Sequence, residues 1–418
     1  MTQRKLRKHL FKIPGGYLVE ILDEPTSLKA TGLQLLKEKG LNVPAFFVVG
    51  FPGSRFKKDL FGIEETRILK DHLSKFKNTS LSVRSASKYE DGRKKSNAGM
   101  FLSYNGVQGI NAVKNCIQNI LGDHYAKTGN INCEIIIQET INTRFAGVTL
   151  FESALSKCYM ESYYGSCRGV VDGVVVPYIS TLEAGRWSHI DNVHITKSKF
   201  IVSNHFIDKV LIPLPGQKLN KVSQAFELGN IRFLQRYNAG ESMVYGVRKM
   251  PSSSYRQSMD NILKEILKVA PYFKKGVDAE WGINEQGILF FFQARALTRS
   301  LAQLSVDENT TMDVLNETTI KGLPASSGCV TGTVTQHSNA TSPCKKILFI
   351  REATIENVEY LRNFKAVISQ FGGILSHLAI VCREQGIPCV VGIQAQIAEG
   401  TEVSIDGKSG TVKILAKV

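Results

Sequence analysis

Apolar and polar positions come in blocks along this 418-residue chain, and the period of each block predicts an element. Across residues 26–50, Leu33, Leu35, Leu36 and Leu41 mark the packed face of a helix. Pro44 then opens a buried strand over 45–49. A strand beginning at Leu81 carries Arg84 into a loop rich in Ser, Asp, Gly and Lys. Residues 134–141 read as a buried strand, and Ala146-Gly147-Val148 starts another. Residues 180–251 alternate short apolar runs with polar turns and hold no motif. Over 258–270, helical spacing puts Ile262, Leu263, Ile266, Leu267 and Val269 on a core-facing side. Period-two alternation over 278–283 and 288–294, around a turn at 284–287, predicts a β-hairpin. Near the end, an apolar strand at 366–369 leads to Gly372-Gly373, which permits a tight turn. Ser376 then caps a helix over 378–385 that stops at Gly386, and Pro388 precedes a buried strand at 389–391. The expected class is mixed, α/β with α+β character.

Length suggests two or three domains with an ample core, and 43% hydrophobic content is ordinary for a globular protein. No apolar run approaches the ~20 residues of a membrane span. The basic start, residues 1–12, gives way to a strand-like stretch and not to a signal-peptide core. Eight cysteines lie scattered without a CxxC pair, which argues against zinc and disulfide frameworks and fits a reducing cytoplasm. The net charge of +15 admits either a polyanion-binding surface or lysine-rich solvated faces around a site for nucleotide phosphates. The second is favoured, because no zinc finger, RRM or other nucleic-acid motif is present.

Three places carry candidate chemistry. His377 falls in the first turn of its helix, where free N–H groups and the helix dipole stabilise an anion on the imidazole; an exposed histidine on a capped helix is the plainer reading. Arg84 offers a planar fork suited to bidentate phosphate recognition, and the small residues Ala98-Gly99 let backbone N–H groups approach an anion. In the hairpin, Asp278 and Glu280 share one face and Gln293 and Arg295 another. If those faces meet, hard oxygen donors suited to Mg²⁺ converge with a guanidinium. A salt bridge between Glu280 and Arg295 is the alternative.

The segment around His377 resembles the phosphohistidine motif of the phosphoenolpyruvate synthase and pyruvate phosphate dikinase family, with Gly372, Gly373, Ser376, His377, Ala379, Arg383, Gly386, Pro388 and Gly392 in step. Residues 81–104 are similar to that family's nucleotide-binding stretch through Arg84, Glu90, Asp91, Ser96, Ala98 and Gly99, with Ser103 and Tyr104 where relatives place a Thr-Tyr pair near ATP. Lys29 falls where the family has a phosphate-contacting lysine, although Ser27 and Leu28 replace the two preceding glycines. Gln138 lies on the strand resembling the one that borders adenine. Glu280, Trp281, Gln293 and Arg295 match the family's metal-binding and phosphate-binding hairpin. At 165–168 the usual Gly-Leu-Gly-Glu is replaced by Gly-Ser-Cys-Arg, and Arg168 receives no role.

The resemblance implies an ATP-grasp domain over 1–300, a tether over 301–317 and a small β/β/α phosphohistidine swivelling domain over 318–418. About 20 extended residues span up to roughly 65 Å, enough for a travelling domain. ATP with Mg²⁺ is expected to phosphorylate His377 through its β-phosphoryl group, giving AMP and phosphate overall. Lys29, Arg84 and Arg295 would neutralise the transferring group, and Glu280 and Gln293 would hold the metal. The expected acceptor is a small molecule bound near the interdomain cleft and lined by residues 180–250; the alternative is a phosphocarrier that hands its group to a separate acceptor protein. No stretch suffices for a ~250-residue pyruvate barrel, so conversion of pyruvate to phosphoenolpyruvate by this chain unaided is not expected.

Overall fold

Chain contacts divide the protein into residues 1–141 with 291–294 and residues 142–290 with 295–418. The computed structural model describes residues 10–12, 18–51, 56, 61–76, 79–87, 101–183, 185–190, 200–203, 231–238, 241–247, 252–297, 300–301, 314–316, 318–336, 346–352, 360–393 and 395–416. Most of the expected tether therefore lies outside the described residues. The class is mixed α/β, as the alternation of periods predicts.

The first unit is built on six strands, β1 (Leu10–Lys12), β2 (Leu18–Ile21), β3 (Phe46–Phe51), β4 (Leu81–Ala86), β5 (Ser103–Val107) and β6 (Cys133–Glu139). They lie in the order β1-β2-β3-β6-β4-β5, antiparallel throughout. Helices α1 (Leu28–Glu38), α2 (Ile63–Leu73) and α3 (Ile110–Thr128) accompany them. Alternate residues Val49, Phe51, Leu81, Val83, Ile135 and Ile137 turn to the core, where Val113, Ile117, Ile120 and Leu121 of α3 meet them. Helix α1 buries Ala30, Leu33 and Leu36, while Leu35 is only half-buried. Gly32 lets α1 lie against the backbone at Ala294, since a Cβ there would stand 2.0 Å from the Ala294 carbonyl oxygen.

The second unit begins with β7 (Thr143–Glu152), β8 (Lys157–Tyr164), the short helix α4 (Cys167–Val171), β9 (Tyr178–Glu183) and β10 (Arg186–Ile190). Strands β11 (Phe200–Ser203), β12 (Ile231–Asn238) and β13 (Glu241–Val247) form a separate three-stranded sheet in the motif-free region. The next helix, Ser252–Val269, starts six residues before the expected point and buries Tyr255, Met259, Ile262, Ile266 and Val269. Leu267 corrects the expected core list: it is 48% exposed, because the buried stripe runs at three- and four-residue steps that bypass it. The expected hairpin follows as β14 (Gly276–Asn284) and β15 (Leu289–Ala296), completing a sheet ordered β10-β9-β8-β7-β14-β15.

The remaining strands, β16 (Val314–Asn316), β17 (Thr319–Lys321), β18 (Leu323–Ser326), β19 (Cys329–Thr335), β20 (Ile347–Ile350), β21 (Ala366–Ser369), β22 (Cys389–Val391), β23 (Glu402–Asp406) and β24 (Thr411–Ala416), form one nine-stranded sheet. Strands β20, β21 and β22 run parallel, which requires a crossover between β21 and β22. The helix His377–Gln385 supplies it. Ile347, Phe349, Ile368, Val390, Val403 and Ile405 fill the core. No helix of the described residues is long and apolar enough to cross a membrane, and the described cysteines are free thiols.

Candidate functional site

The His377 segment folds as its residues dictate. After β21, Gly372 takes φ +102°, in the region that favours glycine. Ser376 caps the helix, its Oγ accepting from the Ala379 N–H at 3.4 Å and donating to the Gly373 carbonyl at 2.8 Å. His377 is the first helical residue, one position earlier than expected, and Gly386 ends the helix with φ +68°. The imidazole is 17% exposed, and its Nδ1 lies 3.7 Å from Oδ1 of the buried Asp172 at the end of α4. Arg383 ties the helix down, donating to the Ala325 carbonyl at 2.8 Å and the Ile374 carbonyl at 2.6 Å.

A buried carboxylate fixes the turn before the histidine. Glu161 on β8 is wholly buried. Its Oε1 accepts from the Ile374 N–H at 2.7 Å and the Tyr159 hydroxyl at 2.9 Å, and its Oε2 from the Leu375 N–H at 3.1 Å. Gly373 makes that approach possible, since a Cβ there would stand 2.2 Å from Oε2. Burial pushes the Glu161 carboxyl up to about 7, against the opposing pull of those hydrogen bonds and of Arg383. Sequence reasoning missed Glu161 and Asp172. The available signal for Glu161 was an acid in the middle of the buried strand KCYMESYY, among Tyr159, Met160, Tyr163 and Tyr164.

In the first unit the structure brings Lys29, Arg84 and Gln293 into a common framework. Lys29 Nζ donates to the Ser85 carbonyl at 3.5 Å, and Arg84 Nη2 donates to Gln293 Oε1 at 3.1 Å. The start of α1 is anchored by Glu134, whose carboxylate accepts from the N–H groups of Thr26 and Ser27 and from the Thr26 hydroxyl at 2.7–2.9 Å. Ser103 and Tyr104 stand opposite Arg84 and Val83 across the β4–β5 ladder. Gln138 pairs with Ser82 and Phe46 and is buried, and its Nε2 has no hydrogen-bond partner among the described residues. A buried amide donor left open is costly unless something accepts from it. Gly99, like Glu90, Asp91, Ser96 and Ala98, lies outside the described residues.

On β14, the half-buried Asp278 and Glu280 alternate with the buried Val277, Ala279 and Trp281, as period-two reading requires. Arg295 Nε donates to Asp278 Oδ2 at 2.8 Å, so Asp278 is an ion-pair partner of this arginine. Burial pushes the Asp278 carboxyl up while Arg295 pulls it down. Among the described residues no three His, Cys, Asp or Glu side chains form a metal cage. A nucleotide-bound Mg²⁺ needs none, because one or two protein oxygens and the phosphates hold it.

Residues 63–314, more than half the chain, match the family described as pyruvate phosphate dikinase, AMP/ATP-binding domain. Residues 342–410 match PEP-utilising enzyme, mobile domain. The chain is 24% identical over 359 residues to a probable phosphoenolpyruvate synthase of Archaeoglobus fulgidus, covering 80% of this chain and 43% of that protein. It is 25% identical over 394 residues to a phosphoenolpyruvate synthase of Aeropyrum pernix, covering 84% and 45%. The chain thus spans less than half the length of these relatives. Among solved structures, D-alanyl-alanine synthetase A of Vibrio cholerae matches with TM-score 0.30 and 10% identity over 64% of this chain and 54% of that one.

Proposed function

The chain belongs to the phosphoenolpyruvate synthase and pyruvate phosphate dikinase family, and from that premise we propose that it is an ATP-dependent phosphotransferase working through a phosphohistidine at His377. In this reading residues 1–300 are an ATP-grasp domain and residues 318–418 the swivelling domain that carries the histidine. The β-phosphoryl group of ATP passes to His377 and then to a small-molecule acceptor, with AMP and phosphate released overall. The observation that carries the proposal is His377 itself, set at the open N-terminus of a Ser376-capped helix inside the match to the mobile domain. The helix dipole there favours an anionic group on the ring.

The nucleotide residues are Lys29, Arg84, Gly99, Ser103, Tyr104, Gln138, Glu280, Gln293 and Arg295. The open amide donor of buried Gln138 supports a ligand acceptor beside β6. Arg84, Lys29 and Arg295 supply positive charge to the transferring group, the main demand in phosphoryl transfer. The oxygens of Glu280 and Gln293 are hard donors that fit Mg²⁺. When bound, Mg²⁺ neutralises and orients the phosphates. The test is to supply Mg²⁺ and ATP with a panel of small acceptors, pyruvate and water among them, and to resolve the nucleotide products. AMP release that depends on one acceptor is expected; ADP as the sole product overturns the dikinase reading, and turnover that requires an added protein overturns the small-molecule acceptor.

A further inference from the structure

Opposite His377 stands a carboxylate that the phosphoryl-carrier reading does not use. Helix α4 is capped by Ser166, whose Oγ accepts from the Arg168 N–H at 3.3 Å, and it buries Cys167, Gly169 and Val170. Arg168 and Asp172 are four residues apart, so they share one side of the helix. Arg168 Nη2 lies 3.2 Å from Asp172 Oδ2, and Asp172 Oδ1 lies 3.7 Å from His377 Nδ1. The acid is 4% exposed. Its two oxygens therefore face two different groups, a guanidinium on one side and an imidazole on the other.

We infer that Asp172 is a positioning residue for His377, holding the ring with its proton on Nδ1 so that Nε2 is the attacking nitrogen. The inference rests on the reading of His377 as the phosphoryl carrier. A neutral imidazole has one N–H, and whichever nitrogen bears it cannot attack. An acceptor at Nδ1 fixes the tautomer in which the Nε2 lone pair is available. As the Nε2–P bond forms, the P–O bond to the leaving group breaks and its electron pair departs on oxygen. The ring keeps its Nδ1 proton and gains positive charge, which Asp172 faces. Arg168, engaged with the other oxygen, helps aim the carboxylate. Two other charged groups near the turn have bonds of their own: Arg383 donates to the Ala325 and Ile374 carbonyls, and Glu161 accepts from the Ile374 and Leu375 N–H groups and Tyr159. The 3.7 Å separation is ion-pair range, and such contacts tighten in the reacting complex.

The test uses the whole chain with ¹⁵N-labelled imidazoles, as wild type, Asp172→Asn and Arg168→Ala. Wild-type His377 should show the Nδ1–H tautomer. Asp172→Asn should lower its titration midpoint by about one pH unit or more and slow phosphoprotein formation about tenfold to a hundredfold. Arg168→Ala, at a residue that is 42% exposed, should move both readouts the same way by less, and it keeps the question answerable if Asp172→Asn does not fold. Normal phosphorylation with an unmoved midpoint and tautomer in both variants overturns the positioning role alone. A wild-type chain that shows the Asp172-dependent tautomer but never takes a phosphoryl group overturns the carrier reading instead.

Discussion

Arg84 and His377, the two residues on which the proposed chemistry turns, are held in unlike ways. Arg84 sits within β4 with a paired strand on each side, β5 and β6. Its position is shared among many backbone hydrogen bonds, and a side-chain contact to Gln293 helps orient its head. His377 follows a turn whose two N–H groups end on one carboxylate 213 and 214 residues away in sequence. A ladder distributes the work of placement, whereas a single buried acid concentrates it. Deleting one side chain should therefore matter little to the placement of the first residue and greatly to the second.

The largest difference is expected from Glu161→Ala. That variant leaves the Ile374 and Leu375 N–H groups and the Tyr159 hydroxyl without their acceptor in a dry site, a loss of roughly 2–5 kcal/mol. Arg84→Ala removes the part-buried hydrogen bond to Gln293 and should cost about 1 kcal/mol. Urea unfolding of the two variants compares them directly, and equal midpoints would break the contrast.

The same acid gives a pH signature. Its folded-state pKa of about 7 lies above the ordinary glutamate value. The contribution is thus fully present below about pH 4.5 and is lost as pH rises through about 7, amounting to at most roughly 3 kcal/mol. Subtracting the pH profile of Glu161→Gln from that of wild type should leave a decline across this window. A flat difference would mean that the carboxyl titrates normally.

Next in size is a rate effect in the ladder-held region. Arg84→Lys should leave stability nearly unchanged yet slow phosphorylation about 100-fold, because an ammonium cannot reproduce a two-pronged contact. A rate within twofold of wild type would remove Arg84 from the chemistry. The smallest effect is expected from Glu280→Gln, which exchanges a charged oxygen donor for a neutral one. The Mg²⁺ concentration for half-maximal rate should rise about tenfold, and an unchanged Mg²⁺ requirement would assign the metal elsewhere.

What was legible in the sequence follows the same division. The β14–β15 hairpin, the strand carrying Arg84 and the capped helix of His377 are local patterns, set by two- and four-residue periods and by Gly and Ser at fixed offsets. Glu161 and Asp172 were not legible, because their partners lie more than 200 residues away and only topology brings them together. That Arg295 engages Asp278 was hidden for a related reason. Periodicity puts the acid on a face, but strand register, which periodicity alone does not fix, decides what lies across from the arginine. Leu267 was misjudged because a cluster of apolar residues was read as one stripe, although the helix turns it outward.

The most direct measurement is to incubate the chain and its His377→Asn variant with Mg²⁺ and ATP labelled in the β-phosphate, then assay for an acid-labile, base-stable phosphoprotein. Nucleotide affinity is measured alongside by equilibrium binding. The account predicts label on the wild type, none on His377→Asn, and similar ATP affinity in both. Label that persists on His377→Asn would contradict it.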